Sequence, residues 1–363
     1  MAPVSHQITP AGSGRLERLN ALRGPAALLV VLYHVRQIAV RDMGSAGGFE
    51  FWRFGHAGVD LFFVISGFVI YLVHRRDIEK PQAIRRFLVR RFIRVYPPLW
   101  IVTTAVLIGA LLTAHAVRAE KMDAWFILRS YLLWPIQGAL PLVPPAWTLS
   151  HEIKFYLLFA IAIALPGRLW KPLVSAVFAG SVLTGLVEAI APTALPFAIT
   201  FLLSPYNLEF AAGVTVAMLV LGRVITAPRA LAAIGVVAWA VAAAHDQSLQ
   251  APDVAQALRY GIPSAIVVLG VAARDAQHPA FRAPLLRLLG DASYSIYLVH
   301  LPTIVVAVRF AKFAHARPTS VALTAVAFLA TAVGIAFHLL VERPITRVLA
   351  ARVAAKPSGA VAA

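Results

Sequence analysis

Residues 57–73 read AGVDLFFVISGFVIYLV, seventeen positions with Asp60 as the one charge. A surface helix of a soluble protein needs a polar face, and this stretch has none. Crossing the hydrocarbon core of a bilayer takes about 20 mostly apolar residues, close to the length found here. Further runs of the same kind occupy 20–35, 97–113, 151–166, 172–190, 196–221, 229–244, 258–272, 293–311 and 319–341. The composition agrees: 60% of the 363 residues are hydrophobic and 13% are charged, against about 45–50% and about 25% in soluble domains. A water-soluble globular enzyme and a disordered chain are both excluded. The expected fold is all-α, a polytopic membrane helix bundle of about ten transmembrane helices.

Around these runs the chain divides simply. Residues 1–18 read as a disordered arm, 19–345 as the transmembrane domain and 346–363 as a flexible tail. The first run imitates a signal peptide, but it ends at His34-Val35-Arg36-Gln37 with no small-residue cleavage site, so it is read as retained. Ser204-Pro205 is expected to break the sixth run.

The net charge of +17 arises from 33 basic and 16 acidic residues. In a soluble protein that excess suggests nucleic acid; in a membrane protein it marks cytoplasmic loops. With the N-terminus inside, 21 Lys and Arg fall in inner segments and eight in outer ones. This predicts an even number of crossings, both termini cytoplasmic and no nucleic-acid partner. Residues 75–94 carry eight of the basic residues, interleaved with apolar ones. They read as an amphipathic helix on the inner membrane face, ahead of a span that starts at Pro97-Pro98. Such a segment suits anionic lipid, a phosphorylated cytoplasmic donor, or both. There is no cysteine, hence no disulfide and no thiolate chemistry, and the histidines lack metal-ligand spacing, so no metal is expected.

Ionisable residues inside spans are functional candidates. Arg23 and His34, eleven positions apart, share one face of the first helix at ~16 Å separation along its axis. Asp60 lies near the outer end of the second helix, at the depth of His34, where a carboxylate can orient an imidazole. Glu152, within Trp147–Tyr156, is placed at the same depth on the fourth helix. The bland alternatives are a snorkelling arginine, a packing histidine, first-turn acids favoured by the helix dipole and an aromatic belt. In Ser293–Pro302, Tyr294 and Tyr297 share a face, and Pro302 is expected to kink or break the helix near His300. Glu342-Arg343-Pro344 reads as a helix stop with interfacial charges.

Taken in order, these motifs resemble the acyltransferase 3 family of integral membrane acyltransferases, in particular bacterial members that O-acetylate exopolysaccharide or lipopolysaccharide. The resemblance rests on Leu22-Arg23-Gly24 with His34, Gly58–Phe68, Arg91-Phe92-Ile93-Arg94, Trp147–Tyr156, Ser293–Pro302 and Glu342-Arg343-Pro344. Pro25, His151 and Lys154 depart from the pattern usual at their positions. The resemblance implies an acyl donor in the cytoplasm and an acceptor across the membrane, with His34 essential, Arg23 its partner and Arg91 and Arg94 important. On that basis acetyl-CoA is the expected donor, its nucleotide end held at the cytoplasmic face by Arg91, Arg94 and Arg343 and its thin arm passing Arg23. His34 is the expected general base, oriented by Asp60 or Glu152, with Trp147, Ser150, Tyr294, Tyr297 and His300 lining the site. The implied partners are membrane lipid, acetyl-CoA, a sugar or polysaccharide acceptor and polysaccharide-assembly proteins. The implied location is the inner membrane, crossed many times. Two other classes remain open from the residues alone: a transporter or flippase of a lipid-linked sugar, and a membrane scaffold.

Overall fold

The computed structural model describes residues 16–112, 123–191, 194–222, 225–245, 254–278 and 281–355. Helix α1 spans Glu17–Met43 and stops at Gly44, whose positive φ of 73° suits a left-handed cap. A 3₁₀ segment, Glu50–Ala57, leads into α2, Gly58–His74. Then come α3 (Ile84–Leu112), α4 (Ala124–Leu132), α5 (Trp147–Ala164) and α6 (Gly167–Ile190). Short α7 (Phe197–Leu202) precedes α8 (Tyr206–Leu221), and the chain goes on through α9 (Pro228–Ala244). A single turn α10 (Val254–Gln256), a π-helical segment (Ala257–Gly261) and α11 (Ile262–Gln277) run without interruption. The chain ends with α12 (Pro284–Phe313), α13 (Ser320–Phe337), a second π segment (His338–Glu342) and α14 (Arg343–Ala355). Among the described residues there is no strand.

Eight helical stretches are long and apolar enough to cross a membrane, and α9 is apolar but shorter. With the 27-residue α1, every run expected from the sequence is helical. The break at Ser204-Pro205 occurs where the fixed proline ring predicts it, between α7 and α8.

Three expectations need correction. Residues 84–112 form one helix, so Pro97 and Pro98 lie inside it and start nothing. Residues 84–94 of the basic segment are thus the first turns of a spanning helix, 75–83 hold two short 3₁₀ turns, and the amphipathic surface helix does not exist as a separate element. Pro302 does not interrupt α12, which continues for 30 residues; neighbouring helices support the backbone around it. Residues 346–355, expected as flexible tail, belong to α14, while 356–363 lie outside the described residues. The expected arm 1–18 also lies almost wholly outside them, but Arg18 is already in α1 and pairs with buried Asp275 at 2.9 Å.

Helices α1 and α12 share the most extensive contact. A Cβ on Gly24 would stand 2.7 Å from the Leu289 Cβ, and one on Gly290 would strike the Asn20 carbonyl. Two hydrogens in place of side chains let these backbones touch, and the contact fixes α1, which carries Arg23 and His34, against α12, which carries Tyr294, Tyr297 and His300. Helix α2 lies along α8 on the far side of α1.

Candidate active site

Helices α1, α2, α3, α5 and α12 enclose a cavity with about 780 Å³ of empty volume, part of it open. Its polar wall comprises Arg23 from α1, Ser66 from α2, Arg91 and Arg94 from α3, Thr148 and Glu152 from α5, and Ser293, Tyr294 and Tyr297 from α12. Phe62, Phe63, Ile65 and Val69 make much of the rest. Arg91 and Arg94 are three apart in sequence and so share a helix face. That face points into the bundle, where both line the cavity together with Arg23. A continuous α3 explains this: its early turns pack on α5 and thus turn these side chains inward.

The cavity is electropositive. Arg23, Arg94, Glu152 and Glu342 lie within electrostatic reach of one another, and Arg91 adds a third guanidinium. None of the three arginines forms an ion pair with a carboxylate among the described residues. The two acids are engaged elsewhere. Glu152 accepts from the Tyr156 hydroxyl and, at 3.5 Å, from Ser66 Oγ. Glu342 accepts from Ser295 Oγ at 2.6 Å and faces His338 Nδ1 at 2.8 Å. The buried Ser293 hydroxyl in the wall has no protein partner among the described residues. Three guanidiniums against two acids, with a spare hydroxyl in a partly closed space, make a receptor for an anion or for carbonyl oxygen.

Arg91 has its own support. Its Nη2 donates to His74 Nε2 at 3.0 Å, and its guanidinium lies over the rings of Phe87 and Tyr156. Because Nε2 accepts, the His74 proton sits on Nδ1 and donates to Asp77 Oδ2 at 2.9 Å. Asp77 in turn accepts from Arg86 at 2.9 Å. His74 is only 2% exposed. On its other side Arg91 borders a mostly apolar crevice between α3 and α5, lined also by half-exposed Phe92 and by Leu157.

His34 stands behind the cavity wall, beyond Tyr297 and His300, and neither histidine lines the cavity, although His300 was expected to. Tyr297, in the cavity wall, has its ring 5.7 Å from His300, whose Nε2 lies 3.1 Å from His34 Nδ1. The Tyr297 hydroxyl donates to Pro145 O at 3.0 Å and lies 2.8 Å from Thr148 Oγ1. His34 itself is half-buried, with the Tyr33 ring at 4.9 Å.

Several predicted assignments change. Asp60 does not serve His34: its carboxyl is in hydrogen-bond contact with that of Glu209 on α8, near the Tyr206 hydroxyl. Glu152 belongs to the arginine cavity. The imidazole neighbour is His300, because α1 and α12 touch along their length while α2 turns its acid towards α8. Arg343 is not in the cavity wall; the inward residue of that motif is Glu342, read from sequence as a plain helix stop. Trp147 packs on the rings of His151 and Tyr206 and does not line the cavity, and Ser150 is buried outside it. His151 and Lys154, unusual at their positions, pair at 3.1 Å, with Lys154 also donating to Phe201 O.

Comparison with known proteins follows the same lines. A family model described as an acyltransferase domain matches residues 16–340. The exopolysaccharide production protein ExoZ of Rhizobium meliloti is 33% identical over 81% of this chain and 90% of its own length. The acyltransferase MdmB of Streptomyces mycarofaciens is 30% identical over 93% of both chains. The peptidoglycan O-acetyltransferase OatA of Listeria monocytogenes is 26% identical over 39% of this chain and 23% of its own. No solved structure matches. With its bundle of apolar helices around an arginine-lined cavity, the chain belongs to the acyltransferase 3 family and is a multi-pass membrane acyltransferase.

Proposed function

We propose that the protein moves an acetyl group from cytoplasmic acetyl-CoA to a sugar hydroxyl of an extracytoplasmic or lipid-linked polysaccharide, across the inner membrane. The observation that carries this reading is the arginine-lined cavity with a histidine pair packed behind its Tyr297 wall. Phosphate oxygens of the donor suit Arg23, Arg91 and Arg94, which have no carboxylate partner of their own. The relatives named for exopolysaccharide production and for peptidoglycan O-acetylation support a carbohydrate hydroxyl as acceptor. Both termini are placed in the cytoplasm by the charge bias of the loops.

In the reaction His34 Nε2 takes the proton as the sugar hydroxyl oxygen attacks the thioester carbonyl carbon. A C–O bond forms and the C–S bond breaks. The thiolate that leaves receives the proton from His34, so the ring ends neutral and free CoA is released. With Arg23 about 16 Å from His34 along α1, the arginines hold the donor's phosphates and not the reacting carbonyl. Helix α1 is unbroken from Arg23 to His34, so their ~16 Å separation along the axis spans about half of the hydrocarbon core.

Purified protein in liposomes tests this, with acetyl-CoA inside and base-deacetylated polysaccharide from the producing strain outside. The expected result is free CoA in the lumen and acetylated sugar outside. A folded His34→Ala variant is expected to lose about 10²- to 10⁴-fold in turnover. Unchanged turnover in that variant, or sugar transport with no thioester consumed, refutes the proposal.

A further inference from the structure

The carbonyl groups around the histidine pair fix the protonation of both rings. His300 Nδ1 lies 2.7 Å from Tyr297 O and 3.1 Å from Ile296 O. Carbonyl oxygens only accept, so this nitrogen carries the hydrogen and the neutral ring presents Nε2 as a lone pair. That lone pair lies 3.1 Å from His34 Nδ1. His34 Nδ1 also lies 2.9 Å from Val30 O, so it too must carry a hydrogen. The donors run in one direction: His34 Nδ1–H gives to His300 Nε2 and to Val30, and His300 Nδ1–H gives to the turn of α12 beneath it. The one ring nitrogen of the pair left without a protein partner among the described residues is His34 Nε2.

We propose that His300 is the positioning residue for His34, holding its ring in the tautomer whose reactive nitrogen is Nε2 and taking the Nδ1–H bond when the ring gains a second proton. The proposal rests on the reading of His34 as the base. Orienting a histidine usually falls to a carboxylate, as in the hydrolase triad. Here the orienter is a neutral imidazole. It suits the place: His300 is fully buried, and a carboxylate there would carry a large desolvation penalty while His34 is neutral. His300 cannot drift, because two carbonyls hold its Nδ1 and the Tyr297 ring lies alongside. It touches neither donor nor acceptor, and its effect passes through His34.

Two substitutions separate this role from packing. His300→Phe keeps a ring and removes the acceptor. His300→Gln places an amide oxygen about where Nε2 stood and restores the acceptor. In the liposome assay His300→Phe is expected to lower kcat about 10²-fold, at the lower end of what a positioned base contributes, with the KM for acetyl-CoA unchanged. His300→Gln is expected to recover at least tenfold of that loss. The ¹⁵N spectrum of histidine-labelled protein, assigned by the signals missing from His34→Ala, is expected to show His34 protonated at Nδ1 in the native chain and a tautomer mixture in His300→Phe. If His34→Ala abolishes turnover but His300→Phe changes neither kcat nor the tautomer, this proposal fails and the base reading survives. If His34→Ala stays active, both fall. A native spectrum with His34 protonated at Nε2 overturns the proposal even where the Phe variant does not fold.

Discussion

His74 illustrates how one buried side chain governs a functional one. It accepts from Arg91 and donates to Asp77 at the surface, so Arg91 is aimed by a relay that starts outside the cavity. Replacing His74 with Phe removes the acceptor and leaves Arg91 to its two aromatic neighbours. The expected outcome is a KM for acetyl-CoA raised about 5- to 10-fold with kcat little changed, since the lost interaction acts equally in ground and transition states; steady-state kinetics in liposomes checks it. This role is invisible in the sequence, where His74 ends an apolar run beside Arg75 and Arg76 and reads as a boundary residue. Glu209 is different. It lies inside a span, and the rule that marked Asp60 would have marked it. It faces Asp60 across the contact between α2 and α8, so both acids belong to that contact and not to His34.

At the level of helices, α1 and α12 set the geometry of the chemistry. Gly24 and Gly290 bring the backbones together, and both histidines, Arg23 and the two tyrosines hang from that seam. Gly290→Leu forces the helices apart against the Asn20 carbonyl. It is expected to destabilise the protein by about 1–3 kcal/mol or more, as overpacking does, and to reduce activity further by separating the imidazoles; the melting transition in detergent and the acyl-transfer rate report the two effects. The helices themselves were legible in the sequence because long apolar runs have few alternatives in lipid. What those runs do not encode is which face points where. Arg91 and Arg94 on a basic stretch, and Glu342 at a helix end, turn inward only because other helices pack around them.

For the whole molecule, sidedness decides whether the reaction moves a group across the membrane or along one face. The basic residues before α3 predict that Lys80 faces the cytoplasm and Glu50 the opposite side, and both are exposed. A chain without cysteine accepts single reporters cleanly. An impermeant maleimide added to intact cells is expected to label Glu50→Cys and spare Lys80→Cys; equal labelling of both contradicts the orientation.

The glycine seam has a mechanical consequence. Two helices locked backbone to backbone behave as a single stator, and the imidazoles, Arg23 and Tyr297 are bolted to it. On the proposed donor, a bulky nucleotide enters only where a wall yields, and the backbone contact at Gly24 and Gly290 leaves this seam little room to do so. The burden passes to α3, where the consecutive rings of Pro97 and Pro98 leave two rungs missing from the helical ladder. The glycine seam thus clamps together the two helices that carry the histidine pair, while Arg91 and Arg94 stand on the helix with two prolines.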